Sequence, residues 1–121
     1  NLNKNIVFLS GGETSVAVKN IKGKGGRNTQ YLLSLAIQFE LLQINSFVAM
    51  AADTDGIDGT EDNAGAFIDE TSLSEIRNKN VNPEELLIDN NSYQAFKIIN
   101  DLFITGPTGT NVNDFRAIII N

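Results

Sequence analysis

The sequence predicts an α/β fold: a mixed β-sheet with helices packed on it, forming one compact domain across residues 1–121. Three observations carry this. Apolar runs of strand length alternate with stretches of helical periodicity. The first connection reads as an antiparallel hairpin, which makes the sheet mixed rather than wholly parallel. Three glycine-rich polar segments, 23–30, 53–65 and 105–114, each follow a strand-like run, and strand ends that open into glycine loops are where α/β folds seat ligands. A chain of 121 residues can bury one core and is too short for two.

Ile6 to Ser10 is a short apolar run stopped by Gly11-Gly12, a buried strand ending in a turn. Beyond it Thr14, Val16 and Val18 alternate with Ser15, Ala17 and Lys19, the period of a half-buried strand, so the two form a hairpin. Asn28 caps a helix whose Tyr31, Leu32, Leu35, Ala36, Phe39 and Leu42 share one face. Phe47 to Ala52 is a strand that breaks at Asp53, and Ala66 to Ile68 a short one beyond the loop. Thr71 or Ser72 caps a short helix through Lys79. Asn82, Pro83, Glu84 and Glu85 give the cap, proline and acidic first turn of the next. Asn91 opens another, with Tyr93, Phe96 and Ile99 on one side. Leu102 to Thr105 and Phe115 to Ile120 are strands flanking the third loop, the latter apolar on both faces and therefore central. Asparagine is abundant throughout, which reads as compositional bias.

Composition narrows the chemistry. With no cysteine and no histidine, disulfide scaffolds, thiolate zinc sites, Ser-His-Asp triads and imidazole bases are excluded. A net charge of -6 opposes nucleic-acid binding, which needs clustered Lys and Arg. No apolar stretch approaches bilayer length and no basic amphipathic helix suits a membrane surface, so a cytoplasmic location is the default expectation. A chain that begins on Asn and enters a strand almost at once reads as a fragment of a longer protein.

Each polar segment has two readings. Gly23-Lys24-Gly25-Gly26-Arg27-Asn28 precedes a helix, where free N–H groups and a forked guanidinium suit phosphate or carboxylate; the same residues also suit a hairpin exit with solvated lysines. It matches neither GxxxxGK[ST] nor, with Asn28 in the third glycine's place, GxGxxG. Asp53 to Asn63 holds five carboxylates, enough oxygen for Mg²⁺ or Ca²⁺ or for orienting a substrate hydroxyl. An EF-hand fails at Ile57 and Asp58, and two Asp-Gly pairs also form ordinary turns. Thr105 to Asp114 gathers hydroxyl, amide and backbone donors that suit a polyol or anion, or simply a long surface turn.

In order, Leu9-Ser10-Gly11-Gly12-Glu13-Thr14, Gly23 to Asn28, Thr54-Asp55-Gly56-Ile57-Asp58-Gly59, Asp89-Asn90-Asn91-Ser92-Tyr93 and Thr105 to Asp114 resemble the MOFRL domain, the C-terminal domain of two-domain glycerate 2-kinases, whose members are often labelled hydroxypyruvate reductases. The resemblance implies phosphoryl transfer from ATP, with Mg²⁺, to the 2-hydroxyl of D-glycerate, in a cleft between this domain and a larger N-terminal one. Arg27 would stabilise carboxylate or phosphoryl charge, and Asp55 would position the hydroxyl or a metal, with Asp58 second in line and Asp53 a further metal ligand. Glu13, Gly25, Gly26, Asn28, Thr54, Thr108, Gly109, Thr110 and Asn111 would shape the cleft. Members commonly have glycine where this chain has Asp53. Without the N-terminal domain the fragment is expected to be inactive, and a homo-oligomer is compatible with the resemblance. An NAD(P)H-dependent hydroxypyruvate reductase and a non-catalytic binding module are the alternatives.

Overall fold

A computed structural model describes residues 5–12 and 23–121; the expected strand over Thr14 to Lys19 and its hairpin lie outside them. In chain order the elements are β1 (Ile6–Gly12), α1 (Arg27–Leu41), β2 (Phe47–Asp53), β3 (Gly65–Asp69), α2 (Ser72–Asn78), α3 (Pro83–Ile88), α4 (Ser92–Ile98), β4 (Leu102–Phe103) and β5 (Asp114–Ile120). The five strands form one sheet in the order β1-β5-β2-β3-β4. Interleaved helices and strands give the expected α/β domain. Every pairing among the described residues is antiparallel, so the parallel share of the expected mixed sheet is not found there. β2 and β3 join through a loop, α2 to α4 return the chain to lay β4 antiparallel on β3, and β5 then runs back between β1 and β2. As expected of a strand apolar on both faces, β5 is interior, paired on both sides.

The core lies between α1 and the sheet. Leu32, Leu33, Ala36 and Phe39 of α1 are buried with Phe47, Ala49, Ala51, Ala66 and Ile68, and with Phe96 of α4. The Phe39 and Phe47 rings meet edge to face at 4.8 Å, a preferred aromatic geometry. Small residues in β2 and β3 let α1 approach the strands closely. Residues pointing the other way, Val48, Phe67 and Phe115, are exposed, and an apolar depression of about 250 Å³ lies among Val48, Met50, Phe67, Ala117 and Ile119.

Asparagine turns out to have a structural use that composition did not reveal. Asn80, Asn90 and Asn100 directly follow the C-caps of α2, α3 and α4 with φ of 61°, 53° and 62°. After glycine, asparagine is the residue that best tolerates this left-handed conformation. The N–H of Asn91 returns to the Leu86 carbonyl and that of Asp101 to the Phe96 carbonyl, 2.8 and 2.9 Å, closing the last turns. At the start of α3 the Asn82 side chain accepts the Glu84 and Glu85 N–H groups, as the sequence predicts.

Candidate functional site

The sheet places two aspartates side by side. Asp53 ends β2 and Asp114 begins β5, and they are direct cross-strand partners. Like charges so placed repel. Arg27, the first residue of α1, lies between them: its Nε donates to Asp114 Oδ2 at 2.6 Å and its Nη2 to Asp53 Oδ2. Asn28 follows, its amide nitrogen donating to Asp114 Oδ1 at 3.0 Å and Asp58 Oδ1 at 3.3 Å. Two residues along β5, on the same face, Arg116 approaches Asp114 at 3.8 Å. It donates to Ser10 Oγ and the Gly11 carbonyl, and lies 5.6 Å from the Tyr31 ring centre. Charges thus alternate in a chain: Arg116, Asp114, Arg27, Asp53.

Asp58, 1% exposed, reaches α1 from the β2–β3 loop. Its Oδ1 accepts the Asn28 N–H at 3.0 Å and its Oδ2 the Thr29 N–H at 2.9 Å. The helix N-cap is Gly26, which makes no side-chain cap bond; Asn28 lies inside the helix, and the expected cap comes instead from a residue thirty positions away. Two of the N–H groups at the start of α1, those of Asn28 and Thr29, are therefore taken by Asp58 rather than held out to an anion. Gly25 and Gly26 serve close approach: a Cβ at Gly26 would overlap the Asp58 carboxyl, and one at Gly25 the Asn90 carbonyl and Ser92 hydroxyl. Lys24 exchanges hydrogen bonds with Asn91 and Tyr93, and Thr29 Oγ1 meets Ser92 Oγ at 2.7 Å. The segment 89–93 is thereby fastened under the loop.

The second and third loops bind each other. Thr54 donates from its N–H and its hydroxyl to the Asn113 carbonyl and accepts the Val112 N–H. Thr108 donates its N–H to the Asp55 carbonyl and its hydroxyl to the Thr54 carbonyl, and Thr110 N–H points back to Thr108 Oγ1 at 3.4 Å. Asn111 Oδ1 accepts the Asn113 N–H, and Gly109 holds a φ of 77°. The structure accordingly brings Arg27, Asn28, Asp53, Asp55, Asp58 and the Thr108 to Asn111 loop to one end of the sheet. Glu13 lies outside the described residues. Among the cluster's polar groups, the buried Asn28 Oδ1 has no hydrogen-bond partner among the described residues, Arg27 reaches solvent on a side chain 25% exposed, and half-buried Asp55 accepts the Ile57 N–H on Oδ1 while its carboxyl also meets that of Asp53.

A metal seat built on Asp53 and Asp55 together is not formed. Asp53 Oδ2 is held by Arg27 and its Oδ1 accepts the Asp55 N–H, and among the described residues no three acidic side chains gather as a metal site. Asp55 is left as a single candidate ligand, a poor fit for Mg²⁺, which is bound through more than one oxygen. Asp114 and Arg116 were not singled out from sequence. The i, i+2 spacing that puts both on one strand face was the available signal.

Burial pushes the carboxyl groups of Asp53, Asp58 and Asp101 up from their ordinary value, against Arg27 at Asp53 and against the Asn28 and Thr29 donors at Asp58. A raised folded pKa means that the folded chain holds more protons than the unfolded one, so this contribution is full below the unfolded pKa and lost as pH rises through the folded one. The charge of -6 acts in the same direction; Glu40, lowered by Arg77, acts oppositely. Urea unfolding should give a higher midpoint at about pH 4, the ordinary carboxyl value, than at about pH 8; an equal or lower midpoint would contradict these assignments.

Sequence and fold comparisons agree on one family. The MOFRL family matches residues 6–114. An Agrobacterium vitis protein provisionally named a hydroxypyruvate reductase is 54% identical over 94% of this chain and 29% of its own length. The Pyrococcus horikoshii glycerate 2-kinase is 40% identical over 95% of this chain and 26% of its own. The crystal structure of the Thermotoga maritima glycerate kinase superposes with a TM-score of 0.88 at 42% identity, over 95% of this chain and 27% of that one. The chain thus spans about a quarter of the length of the curated relatives it matches, and no helix among its described residues is long and apolar enough to cross a membrane. With the family matched over residues 6–114 and the fold shared with a glycerate kinase structure at 42% identity, the chain belongs to the MOFRL family.

Proposed function

We propose that this chain is one wall of the active site of a cytoplasmic glycerate 2-kinase, which transfers a phosphoryl group from ATP to the 2-hydroxyl of D-glycerate. The observation that carries the reading is the loop cluster at one sheet end, where the partly exposed Arg27 guanidinium, the half-buried Asp55 carboxyl and the Asn28 Oδ1, partnerless among the described residues, come together. Phosphoryl transfer depends mainly on positioning and charge neutralisation, and neither Cys nor His is needed. Arg27 offers N–H donors to developing negative charge. Asp55 orients the glycerate hydroxyl and takes its proton as the oxygen–phosphorus bond forms and ADP departs. The nucleotide site and its magnesium belong to the remainder of the enzyme, and the apolar sheet face around Val48, Phe67 and Ile119 is the surface suited to pack against it. Alone, this chain is expected to be inactive.

In the full-length protein, Asp55→Asn should lower kcat for glycerate phosphorylation about 10²-fold, the usual contribution of a positioned acid–base group, with little change in KM. An unchanged kcat would sink the role given to Asp55. The name carried by the Agrobacterium relative favours a second reading, reduction of hydroxypyruvate by NAD(P)H; oxidation of NADH on adding hydroxypyruvate, with no glycerate phosphorylation, would replace the kinase reading by this one.

A further inference from the structure

The two motifs that look most like separate ligand loops, Gly25-Gly26-Arg27-Asn28 and Asp55-Gly56-Ile57-Asp58-Gly59, bind one another. We infer that Asp58 is a positioning residue, the built-in anion at the N-terminus of α1, which fixes Arg27 and Asn28 and occupies the Asn28 and Thr29 N–H groups that an outside anion would otherwise use. The inference concerns the site proposed above, but its test does not depend on catalysis.

Three features point to it. Both Asp58 oxygens are used on consecutive backbone donors, Asn28 at 3.0 Å and Thr29 at 2.9 Å, the two-point geometry with which a helix N-terminus holds an oxyanion. The residue is sealed, 1% exposed, so it cannot touch a substrate and also hold these donors. Glycines make room for it: Gly26 lies where any Cβ would overlap the carboxyl group, and a Cβ at Gly59 would come within 3.0 Å of the Gly26 Cα. Arg27 immediately precedes the two amides that Asp58 holds, and Asn28 spans Asp58 and Asp114. Displacement of Asp58 therefore moves the whole arrangement, while Asp55, three residues earlier on the same loop, is held in register with Arg27.

The test is chemical rescue, followed by NMR on this chain with Asp58→Ala. Removal of the carboxyl should shift the Asn28 and Thr29 amide signals and the Arg27 Nε–H signal. Sodium formate should then return all three towards their original positions saturably, whereas sodium chloride at equal ionic strength should not, and formate should leave the unsubstituted chain unchanged. A structural role unrelated to the anion would not be restored by formate. Unmoved Arg27 Nε–H, or no response to formate, overturns the inference. Should Asp58→Ala fail to fold, Asp58→Asn keeps the shape with one acceptor oxygen: loss of hydrogen-exchange protection at Asn28 or Thr29 is then expected, and full protection at both would overturn the inference equally. Because none of these readings uses activity, a failure here is distinct from a failure of the kinase reading.

Discussion

Asp114→Ala is expected to destabilise the fold by about 3 kcal/mol, the cost of removing one partner from a buried ion pair. The Asp114 side chain is fully buried and accepts from Arg27 Nε and from the Asn28 amide, with Arg116 at 3.8 Å. Without it Arg27 keeps only Asp53, and the buried Asn28 Nδ2 group keeps only Asp58. Two guanidinium groups that a shared carboxylate had joined are then left facing each other. Asp114→Asn should cost nearly as much, since its amide group can accept from Asn28 only by presenting N–H groups to an arginine that has nothing to accept them. Urea unfolding of the two variants at pH 7 checks this; a loss below about 1 kcal/mol, the worth of a surface pair, would mean that the charge chain does not hold the site together.

Much of this fold is written in local pattern. The apolar face of α1, the cap and proline of α3 and the run of isoleucines that makes β5 interior are all signalled within a few residues, because periodicity and capping are local physics. What pattern could not supply is pairing at a distance. Asp58 looks like one of five loop carboxylates and Gly26 like a residue of a phosphate loop; that each is the other's neighbour depends on the β2–β3 loop folding over the start of α1. Asp53, an extra charge in an acidic loop by sequence, is matched by Arg27 because the antiparallel register sets it opposite Asp114. Thr54 and Thr108, read as ligand donors, spend hydrogen bonds joining two loops, and Asn111 accepts one within its own loop. Asparagine at 80, 90 and 100 carried a usable signal, a residue tolerant of positive φ placed just beyond each short helix, that an interpretation by composition passed over.

Gly56→Ala should be nearly as damaging as loss of Asp114, and for a different reason. Gly56 has a φ of 95°, where a Cβ is strained by about 1–2 kcal/mol. A Cβ there would also run into the Gly106 carbonyl and come 3.1 Å from Thr105 Oγ1, an overpacking that costs about 1–3 kcal/mol in its own right. One of the two loops must retreat. The bonds at risk are those from Thr108 to the Asp55 and Thr54 carbonyls, so Asp55 loses the backing that sets its distance from Arg27. Two measurements separate the effects. A urea midpoint reduced by a destabilisation of about 3 kcal/mol reports the combined strain and overpacking, and faster amide exchange at Thr108 reports the parting of the loops. Gly109→Ala is the matching control, since its φ of 77° is strained as well but a Cβ there meets nothing. If the two variants lose stability equally and Thr108 stays protected in both, backbone strain alone accounts for Gly56, and the contact with Gly106 is not what holds Asp55 in place.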